Sequence, residues 1–263
     1  MSRLRISTSR GRFGILLLSA ILLLVPPALL AAENDANATQ DHPSDFRIGK
    51  PRFFIGMHAG MNFPRAESDL FDMVTRELTL GKSDFRNALI GFDLGIALHE
   101  HFVLVFSGEY GRSKETSEFR DFVEDNGQRI HQRTVFRMVP LTAAVRFYPI
   151  KTGETVGSYA WIPNRILPYV GGGGGFVHYE FNQFGDFVDM QTFDIFYASL
   201  ESNGSVPTLF AVSGVDFGLT SAVCINVEAR YSFAKADLSR DFSGFEPIDL
   251  NNLRVSGGIN IRF

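Results

Sequence analysis

The chain is short of cysteine and of lysine. Its 263 residues hold one cysteine, Cys224, and lysine only at Lys50, Lys82, Lys114, Lys151 and Lys235. A single thiol excludes intramolecular disulfides from the fold. It also excludes a lipoprotein, because no cysteine follows the apolar N-terminal segment to carry the lipid. The scattered acids Asp186, Asp189, Asp194, Asp237, Asp241, Glu246 and Asp249 lack the spacing of a calcium loop. The glycine run Gly171 to Gly175 has neither the Lys-Ser/Thr nor the following helix pattern of a phosphate-cradling loop. No cofactor and no metal are therefore expected.

The N-terminus carries Arg3, Arg5, Arg10 and Arg12, then an uncharged apolar stretch from Phe13 to Leu30 and the small pair Ala31-Ala32. This is the pattern of a signal peptide over residues 1–32, although a strict small-x-small site is missing. The alternative is a membrane anchor, since the stretch approaches the roughly 20 residues that a spanning helix needs. Pro26 and Pro27 interrupt it and favour cleavage. Removing residues 1–32 takes away four arginines, so a net charge of −4 becomes −8. No basic patch survives, and nucleic acid is not an expected partner. Residues 33–50 are polar and aperiodic and read as a flexible lead-in.

From residue 51 to 263 the dominant signal has period two, which places alternate side chains on opposite faces of a strand. Eight segments show it. Phe53, Ile55, Met57, Ala59, Met61 and Phe63 oppose Gly56, His58, Gly60 and Asn62; Ala88, Ile90, Phe92, Leu94 and Ile96 oppose Asn87, Gly91, Asp93 and Gly95. The third sets Phe102, Leu104, Phe106 and Tyr110 against Ser107, Glu109 and Gly111, with Val103 and Val105 as exceptions on the polar side. The fourth has Val139, Leu141, Ala143, Val145 and Phe147 against Thr142, Ala144 and Arg146, and the sixth Leu209 to Leu219 against Gly214, Asp216 and Gly218. Val223, Ile225, Val227, Ala229, Tyr231 and Phe233 oppose Asn226, Glu228, Arg230 and Ser232 in the seventh, and the eighth runs from Leu253 to Phe263 against Arg254, Ser256, Asn260 and Arg262. The fifth, Ile166 to Phe181, contains the glycine run and cannot be phased by hydropathy; it reads as a strand on its flanking β-branched and aromatic residues, or else as a loop.

Short connections, His99-Glu100-His101 and Thr220-Ser221-Ala222, alternate with long ones at 64–86, 112–131, 182–206 and 236–249. Long loops at one end and tight turns at the other are the asymmetry of membrane β-barrels. The connection 149–165 departs from it. Period two alone does not say which face is outside. Lysine does: every lysine falls in the expected loops, turns or lead-in, whereas a soluble barrel scatters lysine over its strands. The strand charges are Asp, Glu and Arg interleaved with Gly, Ser and Asn, which reads as an enclosed lumen packed with ion pairs. Phe63, Phe102, Tyr110, Phe147, Tyr169, Tyr231, Phe233 and Phe263 stand near segment ends, where interfacial girdles belong.

The last segment, alternating from Leu253 through Val255, Gly257, Ile259 and Ile261 to a terminal Phe263, resembles the assembly β-signal of outer-membrane proteins. With the signal peptide and the loop asymmetry, the segment from Arg52 onward resembles the small OmpA-like and OmpW-like barrels. That resemblance implies an all-β fold, an eight-stranded antiparallel up-and-down transmembrane β-barrel integral to a Gram-negative-type outer membrane. It further implies insertion by the barrel assembly machinery, contact with outer-membrane lipid and lipopolysaccharide, and both termini in the periplasm, where residues 33–50 form the lead-in.

Counting up from the turns places Asp93, Glu109, Glu228, Arg230 and Arg254 at middle height, with Arg52, Arg146, Asp216 and Arg262 lower. The middle group is expected to form a luminal ion-pair cluster that keeps the barrel closed. In the first long loop, Phe71, Val74 and Leu78 share one helical face, suiting a short helix on the membrane surface, across the barrel mouth or packed into the loops. Asn126-Gly127 suits a type I′ turn that extends the third and fourth strands as a hairpin. His178 is the one histidine placed to act as a catalytic base, and its own strand face offers no serine two residues away, so no enzyme is expected. The leading function is a structural or surface-interacting barrel with long loops. The alternative is binding or passage of small hydrophobic molecules, with a lipid-modifying enzyme third.

Overall fold

The computed structural model describes residues 46–123, 127–189, 192 and 194–263. The signal peptide, the first part of the lead-in and Asn126 lie outside the described residues. Eight antiparallel strands follow in chain order: β1 (Phe53–Pro64), β2 (Asn87–Ala97), β3 (Phe102–Val123), β4 (Arg129–Phe147), β5 (Ile166–Val188), β6 (Ile195–Gly218), β7 (Val223–Phe233) and β8 (Asn252–Arg262). Each pairs with its neighbours in sequence, and β8 pairs back onto β1, so the sheet closes into a barrel without a free edge.

The period-two pattern becomes two surfaces. Ile55, Met57, Ile90, Phe92, Leu94, Phe106, Leu141, Val227 and Ile259 are exposed on the outside, while Asp93, Glu109, Glu228, Arg230 and Arg254 are buried within. An apolar exterior of this extent is stable against lipid and not against water.

The strands differ in length for a physical reason. β1, β2, β7 and β8 have 12, 11, 11 and 11 residues, close to the roughly 9–11 that cross a bilayer. β3 to β6 have 22, 19, 23 and 24 residues and rise beyond it as a curved four-stranded wall. The expected loops 112–131 and 182–206 are therefore mostly strand. Lys114, expected in a loop, stands on β3 above the membrane. Lys114 and Thr116 point outward there, while the inward positions mix Ser113 and Ser117 with Phe119, so strict apolar-polar alternation is lost and the hydropathy signal fades.

The inner face of the wall is apolar and covered. Helix α1 (Asp69–Glu77) buries Leu70, Phe71 and Val74. Phe71 makes edge contacts with Phe85, Phe136 and Phe181 at centroid distances of 4.8, 5.7 and 5.9 Å. The connection between β7 and β8 adds Phe242, packed edge-on against Phe181. The helix thus plugs the mouth, and does not lie on the membrane surface.

At the turn end the connection between β4 and β5 owes its length to a second hairpin, Gly153–Val156 with Ala160–Pro163. Arg47–Ile48 pairs with Ala160 and Trp161, so the last residues of the lead-in are held in a three-stranded sheet rather than free, and Trp161 is buried. Glu100 ties this end together, 3.3 Å from Lys151 and 3.6 Å from Lys50. Lys151 first and Lys50 second hold its carboxyl below the ordinary carboxylate range.

Candidate functional site

Alternation sends two chemistries into the lumen. Along β3 to β6, Val103, Val105, Ala144, Tyr148, Leu167, Tyr169, Phe210 and Val212 form an apolar layer with Phe54. Val103 and Val105 face inward because this layer needs them, so the lumen is not uniformly polar as expected. Tyr169, expected in an interfacial girdle, belongs to this layer and is buried.

The ionic layer borders it, with Val103 directly across from Arg146 and Val212 directly across from Arg230. Arg230 and Arg254 are direct cross-strand partners on β7 and β8, an arrangement that repels when left alone. Two carboxylates clamp it. Glu109 accepts from Arg230 at 3.0 Å and also from Arg254. Glu228 accepts from Arg230 at 3.3 Å and from Arg254 on one oxygen, and from Arg146 at 2.6 Å and the Tyr169 hydroxyl at 2.8 Å on the other. The Thr142 hydroxyl accepts a further bond from Arg230 at 3.1 Å. Arg230 also lies over the Phe210 ring and Arg146 over the Tyr169 ring, at 4.3 and 4.7 Å from the centroids.

Glu109, Glu228, Arg230 and Arg254 are thus brought together as the sequence suggests. Asp93 is not in direct contact with an arginine. It pairs with His58 at 2.9 Å and accepts from Ser107 at 2.5 Å, and the far nitrogen of His58 stands 3.9 Å from Glu109. The sequence reading left His58 out of the cluster and set Arg146 below it. An arginine side chain bridges about two strand residues of height, which counting along strands cannot register. Asp216 stays in the lower position, accepting from Tyr148 at 2.9 Å.

Small residues make room for these long chains. A side chain at Gly91 would lie 2.4 Å from His58 Nε2, and one at Gly214 2.5 Å from the Tyr169 hydroxyl. The same logic phases β5, which hydropathy could not. Gly171, Gly173 and Gly175 face the lumen opposite Arg146, Ala144 and Thr142, while Val170, Gly172, Gly174 and Phe176 face outward. A side chain at Gly173 would stand 2.0 Å from the Ala143 carbonyl and 2.8 Å from the Phe210 ring.

Cavities within the described lumen measure about 50 Å³ near Trp161 and 20 Å³ between the ionic layer and the plug. Ligand sites usually measure roughly 300–1,000 Å³. The wall has no lateral gap at the glycine run, because the pairing of β5 with both neighbours continues through it.

His178 is exposed on the outer face, with Nδ1 3.0 Å from the Ser205 hydroxyl on β6. That serine lies across the strand pair, where a search along the histidine's own strand could not find it. Glu180, the next acid on this face, pairs with Arg137 and accepts from Asn182. No carboxylate contact orients His178 among the described residues.

No family model matches the sequence, and no curated protein is similar to it. Among solved structures, the outer membrane protein OprG from Pseudomonas aeruginosa superposes with a TM-score of 0.52 at 13% identity, covering 83% of this chain and 99% of that one. The chain has the fold of the small outer-membrane β-barrels. Neisserial surface protein A, at 14% identity and a TM-score of 0.42, covers 80% of this chain and 97% of its own. Ail of Yersinia pestis, at 13% and 0.42, covers 82% and 100%. The identities are too low to carry more than architecture. Taken with the lipid-facing exterior, that architecture makes the protein an integral outer-membrane barrel.

Proposed function

We propose that the protein is a sealed structural barrel that presents a surface-interacting wall outside the cell. The observation that carries this reading is that packed side chains cross the described lumen in the apolar layer, the ionic layer and the plug, while β3 to β6 rise well past the bilayer. In outer-membrane barrels the long-loop end faces outward, so this wall meets the surroundings. At the tip of the β5–β6 hairpin, Phe196 and Tyr197 are 48% and 72% exposed. Exposed aromatics at the end of a rigid arm suit contact with another surface. Phe263 and the strand leading to it serve as the signal for the barrel assembly machinery in this reading.

Passage of small hydrophobic molecules fits less well, because the space beneath the loops is occupied by Phe71, Phe85, Phe136 and Phe181. Catalysis fits less well too, because no acid among the described residues contacts the His178–Ser205 pair to orient it.

Two measurements test the reading. Reconstituted in a planar bilayer, the protein should give no discrete conductance steps. Cells displaying Phe196→Ser/Tyr197→Ser should attach less well to the surfaces that wild-type cells colonise, with equal amounts of folded barrel. Steady conduction, or attachment unchanged by the double substitution, would overturn it.

A further inference from the structure

The outer face of β3 to β5 changes abruptly at one height. On β3 the last girdle residue is Tyr110, 42% exposed, and the next outward positions are Arg112 and Lys114. On β4 the next outward residue above Val139 is Arg137, and Arg112 and Arg137 are direct cross-strand partners. Like charges so placed repel each other. Glu180 pairs with Arg137. Arg112 and Lys114 have no ion-pair partner among the described residues, so the patch keeps an excess of positive charge where the apolar belt ends.

Directly below, on the same strands, the wall is hollowed. Phe92, Leu94, Phe106 and Leu141 border a shallow lipid-facing depression of about 680 Å³, floored at Gly108 and Gly174 where side chains are missing. Gly108 lies four residues below Arg112 on β3, about 13 Å along the strand. A cationic patch and an apolar hollow at this spacing match a single amphiphile.

We infer that this face binds one phosphorylated, acylated lipid of the outer leaflet, its phosphate on Arg112, Lys114 and Arg137 and an acyl chain in the hollow at Gly108. Arginine's planar fork suits a phosphate, and a hollow at mid-membrane height suits a chain and not a soluble anion. The site uses the outside of the wall and is independent of whether the lumen is sealed or the hairpin tip is adhesive.

The test uses the purified full chain in phosphate-free detergent, its folding checked by heat-modified gel mobility. Bisphosphorylated lipid A, zwitterionic phosphatidylcholine and inorganic pyrophosphate are titrated, with binding read by native mass spectrometry. Lipid A should be retained, phosphatidylcholine should not, and pyrophosphate should bind at least roughly tenfold more weakly than lipid A. Arg112→Gln/Lys114→Gln should weaken lipid A binding by roughly tenfold or more. Gly108→Leu places a side chain in the hollow, its Cβ 3.3 Å from the tip of Leu141, and should weaken lipid A while leaving pyrophosphate unchanged. Unchanged lipid A binding in the charge variant, or phosphatidylcholine binding equal to lipid A, would overturn the site. Pyrophosphate binding as tight as lipid A would reduce it to a free phosphate site and overturn the lipid assignment.

Discussion

Arg230 on β7 reaches Glu109 on β3 at 3.0 Å, across the full diameter of an eight-strand ring. Hydrogen bonds between neighbouring strands close the barrel's wall; this contact spans its interior. The two residues are 121 positions apart in sequence, and only closure of the sheet brings them together.

Arg230→Ala should therefore destabilise the folded barrel by about 3–5 kcal/mol, because it leaves two buried carboxylates short of a partner. Urea unfolding in detergent, followed by heat-modified gel mobility, measures this. Glu109→Gln/Arg230→Gln should cost less than the two single changes added together.

Phe71→Ala should loosen the mouth and leave the membrane segment intact. It removes the ring that Phe85, Phe136 and Phe181 pack against and should cost about 3–5 kcal/mol locally. Limited proteolysis should then cut within residues 65–86 while the gel mobility of the barrel is unchanged.

The phase of β5 can be tested by two small substitutions. Gly173→Val should block folding, since its Cβ would collide with the Ala143 carbonyl at 2.0 Å, whereas Gly172→Ala, whose nearest neighbour is the Phe210 carbonyl oxygen at 3.3 Å, should fold. The yield of heat-modifiable protein after refolding distinguishes them.

Glu100 should titrate below a free glutamate, and Lys151→Gln should return it toward the ordinary value. Its folded pKa is depressed, so the pairing contributes above the unfolded carboxylate's pKa and is lost as pH falls through the folded one. A carboxyl carbon NMR titration reads both forms.

Much of this was legible in the sequence, and the reasons for the exceptions are physical. Where one face meets lipid and the other an enclosed polar layer, as for Val223 to Phe233, alternation names both faces. Above the membrane the outer face turns polar and the inner face mixes serine with aromatics, so strict alternation is lost and the long arms of β3 to β6 read as loops. Glycine has no hydropathy, so the phase of β5 rests on the close approach of the β4 backbone to Gly171, Gly173 and Gly175 and on the space that Phe210 needs at Gly173. Arg146 joined the ionic layer through the reach of its side chain and His58 through a diagonal contact with Asp93 on the next strand, neither of which residue heights alone encode. Ser205 meets His178 through strand register, a relation between segments and not within one.

Which side of each strand meets lipid can be measured directly. In a Cys224→Ser background, single cysteines at Leu94 and Val227 and at Ser107 and Asn226 can carry spin labels in a reconstituted bilayer. The first pair should collide readily with oxygen dissolved in the lipid, and the second pair should be shielded from it. The reverse, with Leu94 and Val227 shielded and Ser107 and Asn226 open to lipid, would contradict this orientation.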